Sequence, residues 1–141
     1  MVDSAQPQIH WQPISALPVV GSMIDGLRDE VEQQYTTLQA CRPTPHVLDD
    51  HTVARVITVY TAQADDVGLY EHQLTRWSRL SLTATQCQDV DRLLAQLPPI
   101  RDRIQAILAL AAELKAGTIE TVLAKSDVEL GLDWLLEKQQ P

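Results

Sequence analysis

The sequence predicts an all-α fold, an elongated antiparallel helical bundle of three long helices plus one or two short C-terminal helices. Three observations predict it. Apolar residues recur at spacings of three and four over three long stretches. Helix-start and helix-stop residues fall between those stretches. The composition is aliphatic, with 45% hydrophobic residues and no Phe among 141 positions, which gives a core built mainly from Leu, Val, Ile and Ala. Such a chain is long enough to bury a sizeable core in one domain. The expected organisation is an N-terminal arm over 1–17 and a single helical bundle domain over 18–141.

Pro7, Pro13 and several polar residues make the arm irregular, while Trp11, Ile14 and Leu17 give it apolar points to dock on the body. Ser15 is placed to cap the next element, and Pro18 fits a first helical turn, where a missing N–H is harmless. The first long helix is expected over 18–40. Ile24, Leu27, Val31 and Leu38 form its stripe, and Val20, Met23 and Tyr35 widen it. Gly21 and Gly26 weaken its start by about 1 kcal/mol each relative to Ala. Burial must offset that, or the backbone must approach a neighbour closely. Pro43 and Pro45 then end the helix.

Asp49 or Asp50 opens the second helix by accepting from its free N–H groups. Val53, Val56, Tyr60, Val67, Tyr70, Leu74 and Trp77 carry its seam to about residue 79. Gln63 is a polar core position in that seam, of the kind that sets register or oligomeric state. Asp65-Asp66 followed by Gly68 is the weakest stretch, yet the phase of the seam continues through it.

Thr83 and Gln86 have the spacing of a capping box, and Leu82 and Cys87 that of a hydrophobic staple. Val90, Leu93, Leu97, Ile100, Ile104, Ile107, Ala111 and Leu114 keep one stripe across Pro98-Pro99. A kinked continuous helix over 84–116 is therefore favoured over a break, although an interior proline costs about 3 kcal/mol. Leu94, Leu108 and Leu110 flank the stripe. This extra apolar width points to an interaction surface, as does Trp11 in the arm. Thr118 starts a short helix after Gly117. Ser126 and Glu129 have capping-box spacing ahead of Val128, Leu132, Trp134, Leu135 and Leu136, which read as a terminal lid.

The formal charge of −8 comes from 19 acidic and 11 basic side chains. It is spread evenly, with ten acids and five bases in residues 1–80. A broad negative field opposes phosphate contact, so no direct nucleic-acid binding is expected. Arg92, Arg101 and Arg103 are interrupted by Asp102 and read as a solvated helix flank. Cys41 and Cys87 form no CxxC; they read as reduced, small buried side chains in a cytoplasmic protein. The opening residues lack a basic region followed by an apolar run, and no stretch approaches the length of a membrane span.

Chemistry-bearing residues gather at two places. His46, Asp49, Asp50 and His51 lie at a loop-to-helix junction, where a metal or acid–base site competes with ordinary cap polarity. Asp65, Glu71 and His72 lie within two turns of one helix, where a carboxylate–imidazole pair for acid–base work competes with a solvated face. No catalytic residues are assigned and no cofactor is expected. The leading expectation is a non-enzymatic protein–protein interaction or regulatory accessory protein acting through helix faces, on a protein partner or a second copy in a homodimer. The alternatives are a small helical enzyme or ligand- or metal-binding protein using the two acidic and histidine groups, and an acidic nucleic-acid mimic that binds a basic partner.

Overall fold

The computed structural model describes residues 9–124 and residue 131. Among the described residues there are helices and no strands, as the apolar spacing predicts. Three long helices, α1 (Leu17–Ala40), α2 (Asp50–Ser78) and α3 (Ala84–Lys115), carry the fold. Their 24, 29 and 32 residues make rods of roughly 36–48 Å at 1.5 Å per residue. The two connections are short, so successive helices reverse direction and α1 and α3 run parallel. Short 3₁₀ turns at Ile14–Ala16 and Pro45–Val47 shape the entries to α1 and α2. Helical structure resumes over 119–124.

Local chemistry sets the helix boundaries. Asp49 caps α2, its carboxylate accepting from the Thr52 N–H at 2.7 Å, and this bond holds the Asp49 carboxyl below the usual range. Thr83 and Gln86 form the reciprocal capping box of α3, with bonds of 3.0 and 3.1 Å. α1 departs from expectation at its start. The Ile14–Ala16 turn absorbs Ser15, and Ala16 takes the cap position with no side-chain bond, while Pro18 sits in the first turn.

α2 is unbroken through Asp65, Asp66 and Gly68, and α3 stays helical through Pro98 and Pro99. The two prolines remove the donors for the carbonyls of Leu94 and Ala95. Both prolines are exposed, so the freed carbonyls lie on the side that water reaches. Leu97 and Ile100 flank them on the buried side and keep the stripe intact.

α3 is the centre of the bundle. It packs against both α1 and α2, whereas among the described residues α1 and α2 hardly approach each other through their backbones. Ile24, Val31, Val67, Leu74, Trp77, Leu93, Leu97, Ile100, Ile104 and Ile107 are essentially fully buried in one cluster. Each such Leu or Ile contributes about 1.5–3 kcal/mol by leaving water. Gly21 lies at the α1–α3 contact, where a Cβ would meet Leu93 at an ordinary 3.5 Å.

Three surface expectations need correction. Leu110 is only 5% exposed and belongs to the core, because it lies one turn from Ile107 and Leu114 on the face that α3 turns inward. It is not part of an interaction surface. Arg92, Arg101 and Arg103 are not a merely solvated flank: they reach across to Asp25 (3.1 Å), Glu71 (3.6 Å) and Glu32 (2.8 Å), pinning α3 to both neighbours. Cys87 is exposed, so it forms no staple with half-buried Leu82. Ser126, Val128, Glu129, Leu132, Trp134, Leu135 and Leu136, the expected lid, lie outside the described residues.

Candidate functional site

The 46–51 junction is occupied by structural bonding. Asp49 caps α2, and the Asp50 carboxylate accepts from the hydroxyl of fully buried Thr118. The Asp50 N–H donates to Glu120 at 2.9 Å, and the Ile119 N–H to the Leu48 carbonyl at 2.8 Å. The junction thus docks the chain after α3 onto the start of α2. His46 and His51 are exposed beside it. Among the described residues, no three His, Cys, Asp or Glu side chains come together to hold a metal ion.

Asp65, Glu71 and His72 are not brought together. Asp65 is exposed, Glu71 pairs with Arg101, and the His72 ring lies 6.4 Å from Trp11.

The open space in this molecule lies between α1 and α2, where the bundle does not close. One cavity of about 470 Å³ is lined by Val20 and Met23 of α1, by Leu69, Tyr70 and Gln73 of α2, and by the arm from Ile9 to Gln12. A second, of about 420 Å³, continues along the same two helices from Met23 and Tyr70 to Gly26, Leu27, Glu30, Gln63 and Asp66. The two share Met23 and Tyr70 and so form one groove. Met23 and Leu69, 49% and 44% exposed, leave large apolar side chains at its lip. Val19 adds to the same face of α1 one turn earlier. Gly26 has no atom within 4 Å of where a Cβ would stand, so the groove is open directly over it.

The electrostatics of the groove are negative. Burial pushes the Tyr60 hydroxyl up to about 12, with the Glu30 charge adding to the shift. Burial likewise raises Tyr70, with the Asp66 charge adding to it. Two carboxylates thus stand beside two largely apolar rings. Gln63 lies between them, and its Oε1 is buried without a hydrogen-bond partner. The polar core position read from the sequence therefore sits at the mouth of the gap, not within a paired polar layer.

At one end the arm crosses the groove. Gln73 is buried, and its Oε1 accepts from the Gln12 N–H at 2.7 Å while its Nε2 donates to the Gln12 carbonyl at 3.4 Å. The indole N–H of Trp77 donates to the same carbonyl at 3.0 Å. Trp11 lies half-buried under the Arg76 guanidinium, 4.6 Å from the ring centroid. Leu94 sits beside this ring at the edge of another cavity, and Leu108 is half-buried against the core. Sequence reasoning missed Gln73. The available signal was its place one turn before Trp77, a core indole whose N–H needs an acceptor. No family model, curated protein or solved structure matches the chain.

Proposed function

We propose that the protein is a non-enzymatic interaction module whose α1–α2 groove takes an amphipathic helix with basic flanks. The observation that carries this reading is the unclosed gap itself. α1 and α2 both pack on α3 yet leave a groove that is apolar near the arm, where Met23 and Leu69 are exposed at its lip, and carries Glu30, Gln63 and Asp66 farther along. A helix laid into such a channel buries its apolar stripe at spacings of three and four residues. Glu30 and Asp66 select its charge, since Lys or Arg on the flanks meets them favourably and a second acidic copy of this chain does not. Extending the leucine-rich faces to self-pairing is therefore less well supported than a basic partner.

The test is direct titration of the full chain with an amidated Leu/Lys peptide of about five helical turns. A Leu/Glu peptide of the same pattern serves as control. Gly26→Trp aims a large side chain into the groove from a position where a Cβ meets nothing within 4 Å, and an unchanged unfolding midpoint shows that the fold is kept. Loss of Leu/Lys binding by about tenfold or more in Gly26→Trp, with Leu/Glu silent throughout, supports the reading. Equal binding to Gly26→Trp and to the unmodified chain overturns it, because attraction to overall negative charge then suffices.

A further inference from the structure

The α1–α2 groove changes character along its length. Its arm end, about 470 Å³, is walled by Val20, Met23, Leu69 and Tyr70, and the two glutamines that border it, Gln12 and Gln73, are bonded to each other. Its farther end, about 420 Å³, brings one carboxylate from each helix to the same space, Glu30 from α1 and Asp66 from α2. Both charges are felt inside the gap, Glu30 at the buried Tyr60 hydroxyl and Asp66 at Tyr70. Gln63 lines the same space and adds a buried carboxamide oxygen with no donor among the described residues.

The cations of the bundle lie elsewhere. Asp25, Glu32, Glu71 and Glu113 each meet an arginine from another part of the chain. Every arginine of the chain lies among the described residues, and none pairs with Glu30 or Asp66. Residues 1–8, which lead into the arm, contain neither Lys nor Arg. Two carboxylates thus face one opening with no guanidinium to neutralise them.

We infer that the helix this groove takes carries a large apolar side chain at the arm end and a Lys or Arg about two turns farther along, its head between Glu30 and Asp66. This pairing presupposes that the groove takes a helix; it adds which residues of that helix are read. The spacing follows from the walls. Glu30 lies beyond Val20 and Met23 on α1, and Asp66 beyond Leu69 and Gln73 along α2, by roughly 5–15 Å at 1.5 Å per residue. Two turns of a bound helix, about 11 Å, fall near the middle of that range. The aliphatic stem of Lys or Arg covers Met23 and Tyr70, which border both spaces, and carries the charged head onward to the carboxylates. An acidic side chain in the same place meets two like charges.

The experiment titrates the full chain with capped Ala/Gln helices of about six turns, each bearing one Trp and one Lys on the same face. Binding is read from the backbone amide resonances of α1 and α2. The peptide with Lys two turns from Trp is expected to bind at least about threefold more tightly than the one with Lys four turns away. Glu30→Gln with Asp66→Asn, made at two exposed positions, is expected to level the two affinities. Glu30→Lys with Asp66→Lys is expected to transfer the two-turn preference to peptides carrying Glu in place of Lys. Equal affinity for the two spacings in the parent chain, or a preference that survives neutralisation, overturns the pairing. Gly26→Trp tells the two failures apart. If it abolishes binding while spacing makes no difference, the pairing alone falls; if the peptides bind it as well as the parent, the groove is not their site and both readings fall.

Discussion

Gly117 lies against Pro45 so closely that a Cβ on the glycine would stand 2.6 Å from the proline Cγ. The two meet where the turn after α3 closes on the 3₁₀ turn before α2. Neither the proline ring nor the bonded turn can retreat easily. Gly117→Ala is expected to cost about 1–3 kcal/mol of stability. Gly26→Ala, made in open space on α1, is expected to gain about 0.5–1 kcal/mol. Urea unfolding of the two variants beside the parent checks the opposite signs.

Gln63 carries a buried carboxamide oxygen that no protein donor among the described residues reaches. Gln63→Leu keeps the bulk and removes the unmet acceptor, so it is expected to raise stability by about 1–3 kcal/mol. A midpoint that falls would mean that the amide is needed for the α1–α2 arrangement.

Tyr60 is buried beside Glu30, and its hydroxyl is pushed up to about 12. In the unfolded chain the same phenol ionises near its ordinary value of 10. The folded state therefore holds its proton longer, and the stability this provides is complete below pH 10 and lost as pH rises toward 12. Ultraviolet titration should show Tyr60 ionising late, with Tyr70 also raised above its ordinary value. Tyr60→Phe should flatten the fall in unfolding midpoint over that window.

Arm release should be separable from global unfolding. Gln73→Leu breaks both bonds to Gln12 while keeping an apolar α2 surface for the core. Chymotryptic cleavage after Trp11 is expected to speed up by about tenfold, while the main unfolding transition falls by no more than about 1–2 kcal/mol. Cleavage at the parent rate would show that the Trp77–Gln12 bond and the Arg76–Trp11 stacking suffice to retain the arm.

Arg103 reaches Glu32 at 2.8 Å, and its guanidinium also covers the Tyr35 ring at 4.2 Å. The pair remains partly exposed, so a double-mutant cycle is expected to give no more than about 1 kcal/mol of coupling. A larger value would show that the Arg103–Glu32 pair is worth more than an ordinary exposed ion pair.

The helices were legible because burial writes a period into the chain. Ile24, Leu27, Val31 and Leu38 had to share a face, as did Leu93, Leu97, Ile100, Ile104 and Ile107, and the Thr83–Gln86 cap needed only local geometry. The unclosed groove was not legible. Met23 extends a stripe that looks like core on a helical projection, Leu69 lies off the α2 seam, and only the three-dimensional placement of the helices makes the two the lip of one groove. Leu110 failed in the reverse direction for the same reason. Among site residues, Asp49 and Asp50 stood out through their type, yet bonding to Thr52 and Thr118 takes up their carboxylates. Gln73 attracted no notice, because a glutamine on a helix usually faces water and its partner lies 61 positions away.

Among the described residues, every salt bridge between two α-helices ends on α3, and the ties from α1 span 67 to 71 positions of chain. α1 and α2, made first on the ribosome, lack their common support until Ala84–Lys115 has followed them. The first 83 residues, about three-fifths of the chain, must therefore wait, with their apolar stripes uncovered, for α3 to emerge.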